Sequence, residues 1–216
     1  MSIATERAFC LLVQTVRYLK GTPNLGIPIR PSPNPHEFTG VYHADASFGN
    51  ASSPHPQSSR ILFLNGSPIG YKSRRQPRVA RSTIRVEVLS LEDAVDDAIY
   101  TTLCISSFYQ TVRLAVGCDA ANVFHLIKSG APTSAERALL PVLKGLNNKA
   151  CVVPLLAATD LTELHQIAVF KIPTDQNISD VLTKALNVGF LNGLMQLTST
   201  VPSVFGEDIV ASTPPF

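Results

Sequence analysis

What this chain lacks narrows it first. No apolar run approaches the ~20 residues needed to span a bilayer. The opening segment, Met1 to Gly21, has no basic head, apolar centre or small-residue cleavage site of a signal peptide, and Glu6, Arg7 and Arg17 are spread through it. It reads as part of the fold, and the protein as soluble and intracellular. Cysteine is sparse. Cys10, Cys104, Cys118 and Cys151 lie far apart, with no C-x-x-C pair or Cys/His cluster, which argues against structural zinc and a disulfide scaffold. Free buried thiols in a reducing compartment are expected instead. The net charge is only +2, less basic than a dedicated nucleic-acid coat protein. No Gly-rich phosphate loop, nucleophile elbow or His-Glu-x-x-His string occurs.

What is present is a chain of 216 residues, 45% apolar, long enough for one domain with appendages or two small ones. Residues 4–20 place Ala8, Leu11, Leu12, Thr15, Val16 and Leu19 on one helical face, stopped by Gly21 and Pro23. Five prolines between 22 and 39 make an extended linker. Val41 to Phe48, Ile61 to Leu64 and Pro68 to Ser73 read as strands, the last two joined by an Asn65-Gly66 hairpin turn. Ser82 or Thr83 caps a helix on which Ile84, Val88, Leu91, Val95 and Ala98 recur, running to about residue 107. Val112 to Cys118 is a fourth strand, and Ala120 to Ser129 a helix. Ser134 caps a short helix to about residue 146. Residues 147–160 have no clear pattern, His165 to Ile172 alternates as a fifth strand, and 176–197 are helical. Three antiparallel strands followed by strands reached through helices make a mixed sheet flanked by helices, an α/β fold.

Four carboxylates occupy informative places. Asp45 is inside the first strand, Glu87 in the first turns of the long helix, Asp119 at the end of the fourth strand, and Asp180 early in the final helix. Acids gathered in one place repel each other, so such clusters serve to hold divalent metal, and two such ions can support phosphodiester hydrolysis. Each acid taken singly also has an ordinary role as a turn, cap or helix-dipole residue.

The local strings resemble the ribonuclease H region of copia-type LTR retrotransposon polyproteins. The matching segments, in order, are Arg17 to Gly26, Asp45-Ala46-Ser47-Phe48-Gly49-Asn50, Phe63 to Ser73, Gln76-Pro77 leading to Ser82-Thr83 and Glu87, Cys118-Asp119, and Asp180-Val181-Leu182-Thr183-Lys184-Ala185-Leu186. The first resembles the end of the reverse transcriptase part, so the chain looks like a piece of a longer polyprotein. The resemblance implies a ribonuclease H-like fold with a five-stranded mixed sheet over residues 39–197. An N-terminal helix and linker over 1–38 and a tail over 198–216 flank it. It implies that Asp45, Glu87, Asp119 and Asp180 bind two magnesium or manganese ions and cleave the RNA strand of an RNA–DNA hybrid. It also implies a reverse transcriptase or a larger ribonucleoprotein assembly as partner, in the cytoplasm, nucleus or a virus-like particle. Two departures stand out. Arg85-Val86-Glu87 replaces the usual Glu-Ala-Glu, and the Lys-His-Ile-Asp and Tyr-His strings are missing near Ser134 to Leu143. They bear on substrate handling and turnover, and they keep open a second reading, a non-catalytic module kept for nucleic-acid or protein binding. A structural subunit of a larger assembly is a third.

The basic run holding Lys72, Arg74, Arg75, Arg78, Arg81 and Arg85 suits tracking of a hybrid's phosphates, or equally a charged, solvated hairpin edge. Lys72, Arg74, Arg75 and Arg78 are the candidate substrate contacts. Asp93, Asp96 and Asp97 read as a solvated helix face, and Asp175 as the cap of the last helix. His43, His125 and His165 read as surface residues, with His43 sharing the Asp45 face of its strand.

Overall fold

The computed structural model describes residues 5–24, 29–32, 34–48, 55–77, 79–80, 82–128, 149–165 and 167–184. Its centre is a five-stranded sheet in the order β3-β2-β1-β4-β5. The strands are β1 (Glu37–Ser47), β2 (Gln57–Leu64), β3 (Ser67–Arg75), β4 (Thr111–Cys118) and β5 (Ala168–Lys171). β1, β2 and β3 run antiparallel, while β4 and β5 join as parallel strands. This is the mixed sheet expected of a ribonuclease H-like fold. β1 begins at Glu37, so the 38/39 boundary expected from sequence falls inside a strand.

Local chemistry explains the meander. Asn65 and Gly66 both have positive φ, 45° and 77°, as a two-residue hairpin requires, and Asn and Gly are the residues that tolerate it. The β2–β3 register shifts between Leu62 and Phe63, so Pro68 sits on an edge strand beside an irregularity, where its missing N–H costs little.

The long helix α1 (Glu6–Gly21) precedes the sheet, and α2 (Thr83–Ile105), α3 (Ala121–Lys128) and α4 (Lys149–Leu164) follow its first three strands. Ser82 caps α2, its hydroxyl accepting from the Arg85 N–H, as the sequence indicates. Val88, Leu91, Ala94, Val95 and Ala98 of α2 pack on Phe38, Tyr42 and Ala44 of β1, Leu62 of β2 and Leu114 and Val116 of β4. This is the main core. Ile61 and Phe63 face the other way, onto Ile178, Val181 and Leu182. β1 is therefore covered on both faces and buried almost throughout.

Several expectations are corrected. α1 forms, capped by Thr5, yet none of its residues is buried, so its apolar stripe is not part of the core. Phe9, Leu12, Val16 and Leu19 are all exposed. Residues 147–160, without clear pattern in sequence, supply most of α4, with Pro154 inside it and Leu155 and Ala158 buried. The fifth strand is shorter than expected, because α4 runs to Leu164 and β5 begins at Ala168. In place of the start of a final helix are two 3-10 turns, Thr174–Gln176 and Ile178–Leu182. Asp175 lies within the first of these, so it caps no long helix. The helix expected over 134–146 and the stretch beyond 184 lie outside the described residues. Cys10 and Cys104 are exposed rather than buried, while Cys118 is buried as expected. No helix among the described residues is long and apolar enough to cross a membrane.

Gly117 marks the tightest spot near the end of β4. A methyl there would lie 2.5 Å from both Ile172 Cδ1 and Phe170 Cζ. Gly117→Ala is expected to cost about 1–3 kcal/mol through overpacking. The check is a lower urea midpoint at unchanged slope.

Candidate metal centre

Alternation along β1 turns Tyr42 and Ala44 to α2 and leaves His43 and Asp45 on the opposite face. β4 runs parallel to β1, pairing Ala44 with Cys118, so Asp119 emerges beside Asp45. The turn Ile178–Leu182 lies across the same face and brings in Asp180. One carboxylate oxygen each from Asp45, Asp119 and Asp180 lie within 4.8 Å of one another. Asp45 is 1% exposed and Asp180 4%.

Asp45 and Asp180 are buried and Asp119 is partly so, and two of the three carboxyls hold their protons above the usual range. Burial, then the charge of Asp45, raises the Asp119 pKa. Burial likewise lifts Asp180 to about 6, although its hydrogen bond to Lys184 works the other way. Glu87, half-buried on α2, lies outside the close triad, but its carboxyl feels Asp45, Asp119 and Asp180. Burial first and those charges next push it to about 9. Glu87 is thus an outlying neighbour of a three-acid cluster rather than an equal fourth member.

The donor set fits a divalent cation. Hard oxygen ligands from clustered carboxylates suit magnesium or manganese. Asp180 Oδ1 is buried with no hydrogen-bond partner, an acceptor that a cation would satisfy.

The turn carrying Asp180 is fastened by polar contacts. Asn177, fully buried, donates from Nδ2 to Ala44 O at 3.0 Å, accepts at Oδ1 from the Ser179 hydroxyl at 2.6 Å, and its amide works to lower the Asp119 pKa against burial. Ser59 Oγ donates to Ser179 O at 2.9 Å and Ser73 Oγ to Leu182 O at 2.8 Å. The Thr183 hydroxyl donates to Asp45 Oδ2. Lys184 Nζ lies 2.8 Å from Asp180 Oδ2 and 3.7 Å from Asp45 Oδ1. From α2, Ser90 Oγ donates to Asp45 O at 2.7 Å. Sequence reasoning gave no role to Asn177, Ser59, Ser73 or Ser90. The available signal was small polar residues inside apolar strands and a helix, and an Asn three residues before Asp180.

Replacing Asn177 by Leu strands the Ala44 carbonyl and the Ser179 hydroxyl in a dry site, at a cost of about 1–3 kcal/mol. The urea midpoint should fall accordingly, whereas an unchanged midpoint would show that the turn is held without Asn177.

Two further sequence expectations change. His43 is buried at 7% exposure, its ring 4.9 Å from that of Phe63 and 6.4 Å from that of Phe170. Burial pushes its pKa down to about 4, so it is neutral at physiological pH and belongs to the packing beneath the acids. The basic run divides by strand face. Lys72 and Arg74 turn toward α2, opposite Arg60 and Ser58 in register. Arg74 pairs with Asp93, Lys72 lies 3.9 Å from Asp97, and the buried Arg60 pairs with Asp97 and, at 3.5 Å, with Asp93. Asp93 and Asp97 are therefore ion-paired to the sheet, not merely solvated, and Lys72 and Arg74 are committed away from the acid cluster. Arg75, exposed and two residues beyond Ser73, shares the face on which Ser73 meets Leu182. Arg78 lies outside the described residues.

No family model matches the chain. The chain is 28% identical over 150 residues to the Transposon Ty1-DR1 Gag-Pol polyprotein of Saccharomyces cerevisiae, covering 67% of this chain. It is 27% identical over 150 residues to the corresponding Ty1-NL2 polyprotein of the same organism. It spans only 8% of the length of these relatives. Among solved structures it resembles the N-terminal RNase H domain of a Mycobacterium tuberculosis protein, at 13% identity and a TM-score of 0.49, over 75% of this chain and 96% of that one. An RNase H in complex with an RNA/DNA hybrid matches at 12% identity and a TM-score of 0.46, over 66% of this chain and 92% of that one. The copia-type resemblance drawn from local strings thus has counterparts among Ty1 polyproteins.

Proposed function

We propose that the chain is a metal-dependent ribonuclease that hydrolyses the RNA strand of RNA–DNA hybrids. The convergence of Asp45, Asp119 and Asp180 on one face of the sheet carries the reading. These three side chains would hold two magnesium or manganese ions, with Glu87 joining from α2. When bound, such ions activate water and neutralise charge developing on a phosphodiester. Asp45, within β1, and Asp119, just past the end of the neighbouring β4, fix the spacing of the ligands. Asp180 supplies its free Oδ1 from a turn tied down by Asn177, Ser59 and Ser73. Glu87, once deprotonated, orients water beside the cluster. Among the described members of the basic run, Arg75 shares that face and would meet a substrate phosphate.

The Ty1 similarity supports a setting within a larger polyprotein, and the copia-type resemblance extends this to a neighbouring reverse transcriptase or assembly, in the cytoplasm, nucleus or a virus-like particle. The division into a domain up to residue 197 with flanking segments belongs to the same proposal, its start moved from residue 39 to the beginning of β1 at Glu37. One observation favours a second reading, a catalytically inactive module that keeps hybrid or protein binding. Arg85, where the resemblance expects Glu, has a buried Nε with no partner, two residues before Glu87.

A hybrid carrying a labelled RNA strand, incubated with the protein and magnesium, separates the two. Release of RNA fragments, with the DNA strand and single-stranded RNA left intact, is the expected result. Retention of the hybrid with its RNA whole would establish the binding module instead.

A further inference from the structure

Lys184 stands apart from the other basic groups. Among the described residues no other Lys or Arg forms an ion pair with Asp45 or Asp180. Its backbone N–H donates to Asp180 O at 2.9 Å, closing a tight turn that drops the side chain over the cluster. The ammonium then reaches Asp180 Oδ2 at 2.8 Å and Asp45 Oδ1 at 3.7 Å. These oxygens belong to the same carboxylates that form the metal-fitting triad.

We infer that Lys184 is a resident counter-cation, competing with divalent ions for Asp45 and Asp180 and thereby setting the affinity of the centre. The inference rests on the metal-binding reading of the triad. Two buried carboxylates beside a third, partly buried one need positive charge nearby for the fold to tolerate them, and Lys184 supplies it from within the chain. A divalent ion entering the triad meets that ammonium at close range and is repelled by it. The lysine has an exit. Its side chain is 38% exposed, against 1% and 6% for those of Asp45 and Asp180, so its flexible stem can carry the charge into water. The contacts that keep the carboxylates in place do not leave with it. The Thr183 hydroxyl still holds Asp45, and the Asn177 clamp still holds the turn. The same side chain therefore stabilises the ion-free protein and weakens ion binding, as linkage requires of two cations sharing one site.

The test is manganese titration of the full chain by calorimetry, with the thermal midpoint in chelator measured alongside. Lys184→Met is expected to bind manganese about tenfold more tightly than the parent and to melt lower in chelator. Lys184→Gln, which keeps a donor without the charge, should move the same way if the Met variant folds poorly. Lys184→Arg should stay close to the parent on both measures. Equal or weaker manganese binding by the Met and Gln variants, in a parent whose binding depends on Asp45, would overturn the inference and leave the metal centre standing. Failure of the parent and both uncharged variants to bind would overturn the metal reading, and the inference with it. Binding by the uncharged variants alone would show the lysine as a full occupant and support the inference.

Discussion

Asp45→Asn should remove hybrid cleavage, by about a thousandfold or more, while leaving the fold intact. The substitution takes the charge from the centre of the triad without changing its shape. The Thr183 hydroxyl can still donate to the amide oxygen, and the contact from Ser90 goes to the Asp45 backbone carbonyl, which the change does not touch. The loss is expected to reach the ion as well as the reaction. Manganese at about a hundred times its dissociation constant contributes about 2.7 kcal/mol to the parent, and that stabilisation should vanish in the variant. For a domain of this size it corresponds to a midpoint rise of about 5–10 °C. Thermal melts with and without manganese read it directly, alongside the cleavage assay. Full activity in Asp45→Asn would place the chemistry elsewhere on the molecule.

The second large effect is on pH dependence. Glu87 has its pKa raised from 4.5 to about 9, chiefly by burial and then by Asp45 and Asp119, and Asp180 from 3.8 to about 6, also chiefly by burial. A carboxyl whose pKa is raised in the folded state holds its proton more tightly there than in the unfolded chain. Its stabilisation is complete below the ordinary carboxylate range and is lost as pH rises through the folded value. The ion-free protein should therefore melt progressively lower from about pH 7 to pH 9, the part of the Glu87 range lying above the ordinary histidine value, below which the lowered pKa of buried His43 acts in the opposite sense. Glu87→Gln, which cannot ionise, should flatten most of that slope, since the Asp180 portion is confined to the acid end below about pH 6. Divalent ions act in the opposite sense, because they need the carboxylates deprotonated, so manganese should stabilise more at pH 9 than at pH 5. A midpoint that climbs with pH above about pH 7 in chelator would contradict this electrostatic account of the centre.

The parts of this fold legible in the sequence are those governed by local rules. Asn65-Gly66 announces its hairpin because few other residues accept positive φ twice in succession. Ser82 announces α2 because its hydroxyl satisfies an otherwise unpaired helix N–H. The acids stood out because Asp45 interrupts an apolar strand and Asp119 ends one, although only the resemblance to a family tied them firmly to Glu87 and Asp180. What could not be read depended on partners distant in sequence. Lys72 and Arg74 looked like substrate contacts until β3 set them against Asp97 and Asp93 of α2. His43 looked like a surface residue because alternation gives its face but not what covers that face, here Phe63 and Phe170. α4 was obscured by Pro154 and by apolar residues on all sides, which leave no helical stripe to detect. Asn177 bonds to Ala44, 133 positions away, and no local pattern could have indicated it.

Crystals grown with manganese and measured for anomalous scattering bear most directly on the centre. The expected map has its strongest peak between the carboxylates of Asp45, Asp119 and Asp180, within about 2.5 Å of an oxygen from each. A map with manganese bound only at other carboxylates, and none among these three, would contradict the account.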